Sequence, residues 1–253
     1  FDGDDMLHGA EGDDVFWAGL AGGAGNDQLD GGADIDLADY SDATASIDVN
    51  LTTGTATGAE IGTDTIVNVE NVNAGSGDDT LVGDGESNIL FGASGNDTID
   101  GAAGSDTLYG GDGDDTLTGG GDADTLLGGV GNDFLSGSIG DDLLYGGEGA
   151  DTLSGGIGDD YVDGGDGIDV VDYGDVASSV NVSLTTASAT GVDINTDTLV
   201  SIENVSGGLG DDTITGDSAA NQLFGDAGND YIDGGAGADV IDGGLGDDTL
   251  TGG

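Results

Sequence analysis

Through most of this chain an aspartate recurs every nine residues, and it is the residue type with chemistry to offer. The phrase around it is Gly-Gly-x-Gly-(Asn/Asp)-Asp-x-Leu-x, clearest at Gly110-Gly111-Asp112-Gly113-Asp114-Asp115-Thr116-Leu117-Thr118. It reads again through Gly146 to Ser154, Gly155 to Asp163 and Gly243 to Thr251. Twenty copies can be counted, four of them degenerate or irregular. Glycines at positions one, two and four allow positive φ and close backbone approach. The carbonyls of such a turn can point to a shared point beside the position-six Asp. Hard oxygen donors of this kind suit Ca2+, which takes six to eight oxygens at about 2.3–2.6 Å. Mg2+ fits less well, because it resists full dehydration and demands octahedral geometry. The phrase holds no imidazole or thiolate to favour a transition metal.

The charge balance makes the same demand. The chain has 53 Asp and Glu, no Lys or Arg and one His, for a formal charge of −53. Only the chain amine or His8 could form an ion pair. Gly accounts for 56 of 253 residues, and Pro and Cys are absent. Composition alone describes a disordered acidic chain, since self-repulsion and glycine entropy both oppose compaction. The strict period reverses that reading, provided a divalent cation neutralises the carboxylates. Without cysteine there are no disulfides and no thiolate sites. An acidic surface argues against nucleic acid and anionic lipid as partners. No apolar run approaches the roughly 20 residues of a transmembrane segment. Phe1 falls inside a repeat and Gly252-Gly253 opens another copy, so the chain reads as part of something longer. The lack of a visible signal peptide therefore carries no weight.

A fixed short period means one stacked unit, a solenoid. Positions one to six predict a turn and positions seven to nine a short strand. Side chains alternate across a strand, so position eight points one way and its neighbours the other. Position eight is Leu108, Leu117, Leu126, Leu135, Leu144, Leu153, Val162 and Val171 in succession, a continuous apolar ladder. Two such ladders facing each other give a thin core, with two repeats in each eighteen-residue coil.

These residues closely resemble the RTX (repeats-in-toxin) family. The resemblance implies an all-β chain, a parallel β-roll or β-solenoid of calcium-binding nonapeptide repeats. It implies about a dozen Ca2+ ions, counted at six to eight ligands each, held between successive turns by backbone carbonyls and the position-six Asp. Those residues are Asp5, Asp14, Asp27, Asp79, Asp97, Asp106, Asp115, Asp124, Asp133, Asp142, Asp151, Asp160, Asp169, Asp212, Asp230, Asp239 and Asp248. Asn88 and Asn221 replace the Asp in two copies and weaken those sites. Asp34 and Asp122 replace the fourth-position Gly and put the local turn in doubt. A four-residue break at Ala18 to Ala21 is expected to put the first two repeats out of register.

Two inserts of 34 residues interrupt the period, Tyr40 to Asn73 and Tyr173 to Ser206, and laid together they share 18 identities. The offset of 133 also aligns the flanking repeats, so a large unit occurs nearly twice. The expected segments are 1–39 (repeats), 40–73 (first insert), 74–172 (central roll), 173–206 (second insert) and 207–253 (repeats). Each insert alternates, as in Ile47-Asp48-Val49-Asn50-Leu51, and has a second apolar stretch at Asp64 to Val72 or Asp197 to Val205. Two strands joined by a Thr/Gly/Ala-rich loop are expected. Identical lengths that resume in phase favour a wider coil over a protruding contact or glycan-bearing arm.

One sheet should display Ile89, Phe91, Tyr109, Leu127, Leu143, Tyr145 and Tyr161 outward. That stripe is read either as a contact for self-association or a neighbouring domain, or as cross-strand pairing on an open sheet. No catalytic constellation is found. His8 is the only His, no nucleophile-elbow phrase occurs, and paired carboxylates without a cleft do not make a glycosidase. The chain is thus read as a non-enzymatic structural module. The family resemblance implies a bacterial, secreted, extracellular protein exported by type I secretion that folds on meeting calcium. The duplication leans towards a surface-layer, filament or adhesin component. The alternative is the calcium-binding tail of a secreted protease, lipase or toxin.

Overall fold

The computed structural model describes residues 3–18 and 25–253. Among them every regular element is a β-strand. The chain divides into two compact units, 1–130 and 131–253.

In the first unit, strands eighteen residues apart stack in parallel in two sheets. Leu90 pairs with Leu108 and Leu108 with Leu126 in one sheet. Leu81, Ile99 and Leu117 are in register in the other. All six are buried. In the second unit Leu135, Leu153 and Val171 line one sheet and Leu144 and Val162 the other. These are the two facing ladders of a parallel β-roll with two repeats per coil. Alternation sets the faces: Thr116 is exposed, Leu117 is buried and Thr118 is half-buried.

Many strands outrun the predicted triplet. Thr107–Asp112, Thr116–Gly121 and Phe134–Ile139 each span six residues and take in positions one to three of the next turn. Because coils are in phase, these turn residues also find partners eighteen residues away, as Ala93 does with Gly111. Both have positive φ (82° and 123°), which bends the strand without ending the ladder. The fourth-position replacements keep the turn as well, because Asp34 and Asp122 adopt φ of 79° and 71°, a region Asp tolerates better than most residues.

The irregular stretch at 18–21 lies, apart from Ala18, outside the described residues. Its consequence is nevertheless visible, and the expected loss of register does not occur. Leu7 pairs with Leu29 and Phe16 with Ala38. The first coil is longer by four residues, 22 in place of 18, and the ladder runs on.

Each insert widens one sheet. In the first unit Gly62–Val67 pairs in parallel with Gln28–Ala33. Thr55–Gly58 then lies antiparallel to it, and Ile47–Asn50 antiparallel to that. Ile47–Asn50 hands over in parallel to Thr80–Val82. The opposite sheet meanwhile runs through Leu37–Asp39, Asn71–Asn73 and Ile89–Ser94. The second unit repeats the arrangement with Asn195–Val200, Ser188–Gly191 and Val180–Ser183, ending on Thr213–Thr215. The stretch expected to be a loop therefore contains a strand, Thr55–Gly58 or Ser188–Gly191. Its short Thr-Ala-Thr-Gly or Ser-Ala-Thr-Gly alternation buries only an alanine, Ala56 or Ala189, which is a weak apolar signal. Tyr40, Ile47, Val49, Ile61 and Ile66 add a locally thicker core in the first unit, and Tyr173, Val180, Val182, Ile194 and Leu199 do so in the second.

With one ladder residue per nine, each matters. Leu117→Ala should lower stability by about 2–5 kcal/mol, measured by urea unfolding in saturating calcium. Thr116→Ala, on the exposed side of the same strand, should change it by less than about 0.5 kcal/mol.

Candidate metal centre

The position-six Asp is held twice. Its backbone N–H donates to the carboxylate of the equivalent residue one coil later. Asp79 donates to Asp97 Oδ1 at 2.7 Å, Asp97 to Asp115 at 2.8 Å and Asp106 to Asp124 at 2.8 Å. In the second unit Asp133 donates to Asp151, Asp142 to Asp160 and Asp212 to Asp230. Position five forms a ladder of opposite polarity. There the later N–H donates to the earlier side chain, as from Asn96 to Asp78 and from Asp114 to Asn96. The two ladders fix the turn and aim the second oxygen of the position-six carboxylate inward.

That inward oxygen is the diagnostic feature. Oδ2 of Asp97, Asp106, Asp151, Asp160, Asp169, Asp212 and Asp230 is buried and has no hydrogen-bond partner. The same is true of Oδ2 in Asp5, Asp14 and Asp239, whose residues are only half-buried. Around these oxygens the glycines leave room. A methyl on Gly92 would collide with Asp97 Oδ2 and lie 2.8 Å from Gly110 O of the next coil. A methyl on Gly146 would meet Asp151 Oδ2 and Gly164 O in the same way. Positions two and four bring in further carbonyls, since a methyl on Gly111 or Gly113 would collide with Ala93 O or Gly95 O of the preceding coil.

A buried, unpaired carboxylate oxygen is costly unless a cation meets it. The donors present are hard oxygens, one carboxylate with several carbonyls, and they fit Ca2+. Among the described residues no group of three or more His, Cys, Asp or Glu side chains converges, as expected where carbonyls supply most of the donors. Of the remaining predicted residues, Asp27, Asp79, Asp115, Asp124, Asp133 and Asp142 are buried and Asp248 is half-buried. The structure brings them together as successive pairs within a column: Asp5 with Asp27, Asp79 with Asp97, Asp230 with Asp248.

Burial, together with neighbouring carboxylates, pushes Asp97, Asp106, Asp160, Asp169 and Asp212 up to about 6. Asp79, Asp151 and Asp230 move in the same direction for the same leading reason.

Five acidic residues belong to these columns that sequence reasoning missed. Asp36 accepts from Asp14 N–H at 2.7 Å, and its Oδ2 is buried and unpartnered. It follows Asp27 by nine residues, and the irregular Asp34 beside it obscured the match. Asp64, Glu70, Asp197 and Glu203 come from the inserts. Asp64 and Asp197 accept from the N–H of Asp27 and Asp160, and Glu70 and Glu203 from that of Asp36 and Asp169. Their signal was their identity at the 133-residue offset. Asn88 and Asn221 present an amide in place of the carboxylate. Each donates Nδ2–H to a backbone carbonyl, Glu70 O or Glu203 O, at 2.7 Å.

The model of the RTX calcium-binding nonapeptide repeat family matches residues 1–38, 73–108, 100–135, 136–171, 201–232 and 224–253. The chain belongs to that family. No curated protein matches it. The RTX matches leave out most of both inserts, which are the segments where the carboxylate columns change partner. The outward residues of the roll pair among themselves. Phe91 and Tyr109 stack at 4.4 Å in the first unit, and Tyr145 and Tyr161 lie at 5.7 Å in the second. His8 Nδ1 sits 3.2 Å from Asp30 Oδ2 at the surface.

Two outcomes follow from the geometry. Gly146→Ala should remove calcium from the Asp151 cradle, lowering the bound count measured by isothermal titration calorimetry, whereas Gly85→Ala, which meets nothing, should not. The second concerns pH. Carboxyls raised to about 6 from 3.8 bind protons more tightly folded than unfolded. Their contribution to stability is fully present below 3.8 and is lost as pH rises through about 6. In chelator, β-structure measured by circular dichroism should therefore increase as pH falls from 7 towards 4.5. A flat profile would contradict the assignment.

Proposed function

We propose that this chain is an extracellular calcium-binding structural module that folds when it meets calcium after export. The observation that supports it most is the recurring buried Oδ2 without a partner in a chain with no Lys or Arg. The residues that would hold the ions are the position-six Asp residues, with Asp36 added, and the carbonyls of the glycine turns.

Calcium, when bound, supplies two positive charges and accepts six to eight oxygens. The chain does the rest. Without the ions, its carboxylates repel one another and the thin leucine ladders do not hold the coils together. With them, each position-six carboxylate and the carbonyls of the adjoining turn share a charge that offsets their burial, so binding energy becomes folding energy. About a dozen ions at this ligand number would cancel roughly 24 charges and leave the roll acidic. Dissociation constants of order 10⁻⁴–10⁻³ M, the range of extracellular modules, would keep the chain unfolded before export and folded outside.

Two units with the same architecture favour a lengthening role, as in a surface layer, filament or adhesin of a bacterium. The outward residues Ile89, Phe91, Tyr109 and Leu127 of the first unit, and Leu143, Tyr145 and Tyr161 of the second, are the contact surface this reading would use. A Ca2+ titration followed by circular dichroism, with Mg2+ as control, tests the folding switch. A sharp coil-to-β transition with Ca2+ alone is expected, and β-structure that persists in chelator at neutral pH would contradict it. Light scattering of the folded product tests the lengthening role. Growth into large particles, lost in a Tyr109→Ser, Tyr145→Ser chain that still folds, is expected. A stable monomer would favour the tail of a secreted enzyme.

A further inference from the structure

The two inserts treat the carboxylate columns differently from most nonapeptide turns around them; Asp79, whose Oδ2 accepts the N–H of Gly75 at 3.2 Å, is the exception among nonapeptide residues beside them. In the first unit the column Asp5–Asp27 runs on to Asp64, and in the second the column Asp142–Asp160 runs on to Asp197. Both Asp64 and Asp197 are fully buried. Unlike Asp97 or Asp160, both of their oxygens are used. Oδ1 accepts the N–H of Asp27 or Asp160, and Oδ2 accepts a tyrosine hydroxyl. Tyr40 donates to Asp64 at 3.1 Å and Tyr173 to Asp197 at 2.9 Å.

The first two glycines of the cradle are missing as well, although the fourth position keeps its positive φ, at Gly62 (77°) and Asn195 (52°). Five residues before the Asp, where the nonapeptides other than that of Asp79 (Ala74) have their first Gly, stand Ala59 and Val192, both in the exposed turn of a hairpin. Four residues before it, at the second Gly, stand Glu60 and Asp193, and at the variable third position Ile61 and Ile194 are buried. Beyond the Asp the column stops, because the antiparallel strands intervene. A new column begins where Ile47 or Val180 N–H donates to Asp79 or Asp212. Tyr40 and Tyr173 are themselves pinned, donating N–H to Asn73 O and Ser206 O and accepting from the N–H of Ala43 and Val176.

We infer that each insert ends a carboxylate column in an ion-free rung, in which a tyrosine hydroxyl stands where the nonapeptide turns would hold calcium. The rung spares the last carboxylate an unpaired oxygen, and the roll gains one closure per unit that needs no ion. The inference rests on the calcium reading above and assigns which acidic residues of the columns take no part in it.

Native mass spectrometry of the calcium-loaded full chain counts the ions. Asp97→Asn serves as the reference and should lower the count; no calcium in the parent chain would sink the calcium reading itself. An Asp64→Asn, Asp197→Asn chain should keep the parental count, because the amide oxygen still accepts and no ion is lost. A count reduced by two would overturn the inference. Should that chain stay unfolded in saturating calcium, a Tyr40→Phe, Tyr173→Phe chain decides. Removing both hydroxyls leaves two buried oxygens unpaired, so the calcium midpoint of folding should rise by roughly two-fold, the loss being spread over the ions bound together. An unchanged midpoint would overturn it.

Discussion

A carboxylate oxygen taken out of water, in a chain with no cationic side chain but one histidine, is the constraint on which the rest of this structure depends. Each coil repeats it twice. The hydrogen-bond ladder from Asp N–H to the next Asp Oδ1 satisfies one oxygen of the position-six carboxylate and turns the other towards the interior. The glycines follow from this, since a methyl at position one would occupy the space that the second oxygen and the next coil's carbonyl share; where Ala74 stands at that position, Asp79 Oδ2 accepts the N–H of Gly75. The leucine ladders orient the two sheets, yet one apolar side chain per nine residues is a thin core. Beyond the backbone ladders between coils, cohesion depends on how the inward oxygens are met.

Much of this was legible in the chain. The period set the coil length, the alternation set which side of the strand is buried, and the spacing of the Asp set the columns. What escaped had identifiable causes. Asp36 sits in a repeat disturbed at its fourth position, where Asp34 keeps the left-handed turn that only its backbone angle reveals. The strand at Thr55–Gly58 buries a single alanine, so its alternation carries almost no apolar contrast. The register of the first coil could not be inferred, because a longer connection changes the number of residues per turn without changing which leucines meet. Asp64 and Glu70 lie within the second apolar stretch of the insert; their place in the columns depends on pairing with residues 37 and 34 positions away.

The inserts show how a parallel stack can be widened without exposing an edge. A three-stranded antiparallel excursion enters the sheet in parallel and leaves it in parallel, so every strand keeps two neighbours. The two carboxylate columns of each unit meet the insert differently. One stops at Asp64 or Asp197; the other runs to Glu70 or Glu203 and continues through an amide, Asn88 or Asn221, that donates Nδ2–H to the Glu carbonyl. The interrupted column would be left with an unpaired terminal oxygen, and it is there that a buried tyrosine occurs. Burial and the adjacent carboxylate push the phenols of Tyr40 and Tyr173 well above their ordinary value, which keeps the donating proton in place. The same burial pushes Asp64 up to about 6 and Asp197 up to about 7.

The most direct measurement is anomalous scattering from crystals grown in calcium, collected at long wavelength. The account predicts calcium peaks between successive turns, within bonding distance of Oδ2 of Asp97, Asp151 and Asp212 and of the glycine-turn carbonyls. Folded coils with these oxygens turned to solvent, or with only water in the cradles, would contradict it.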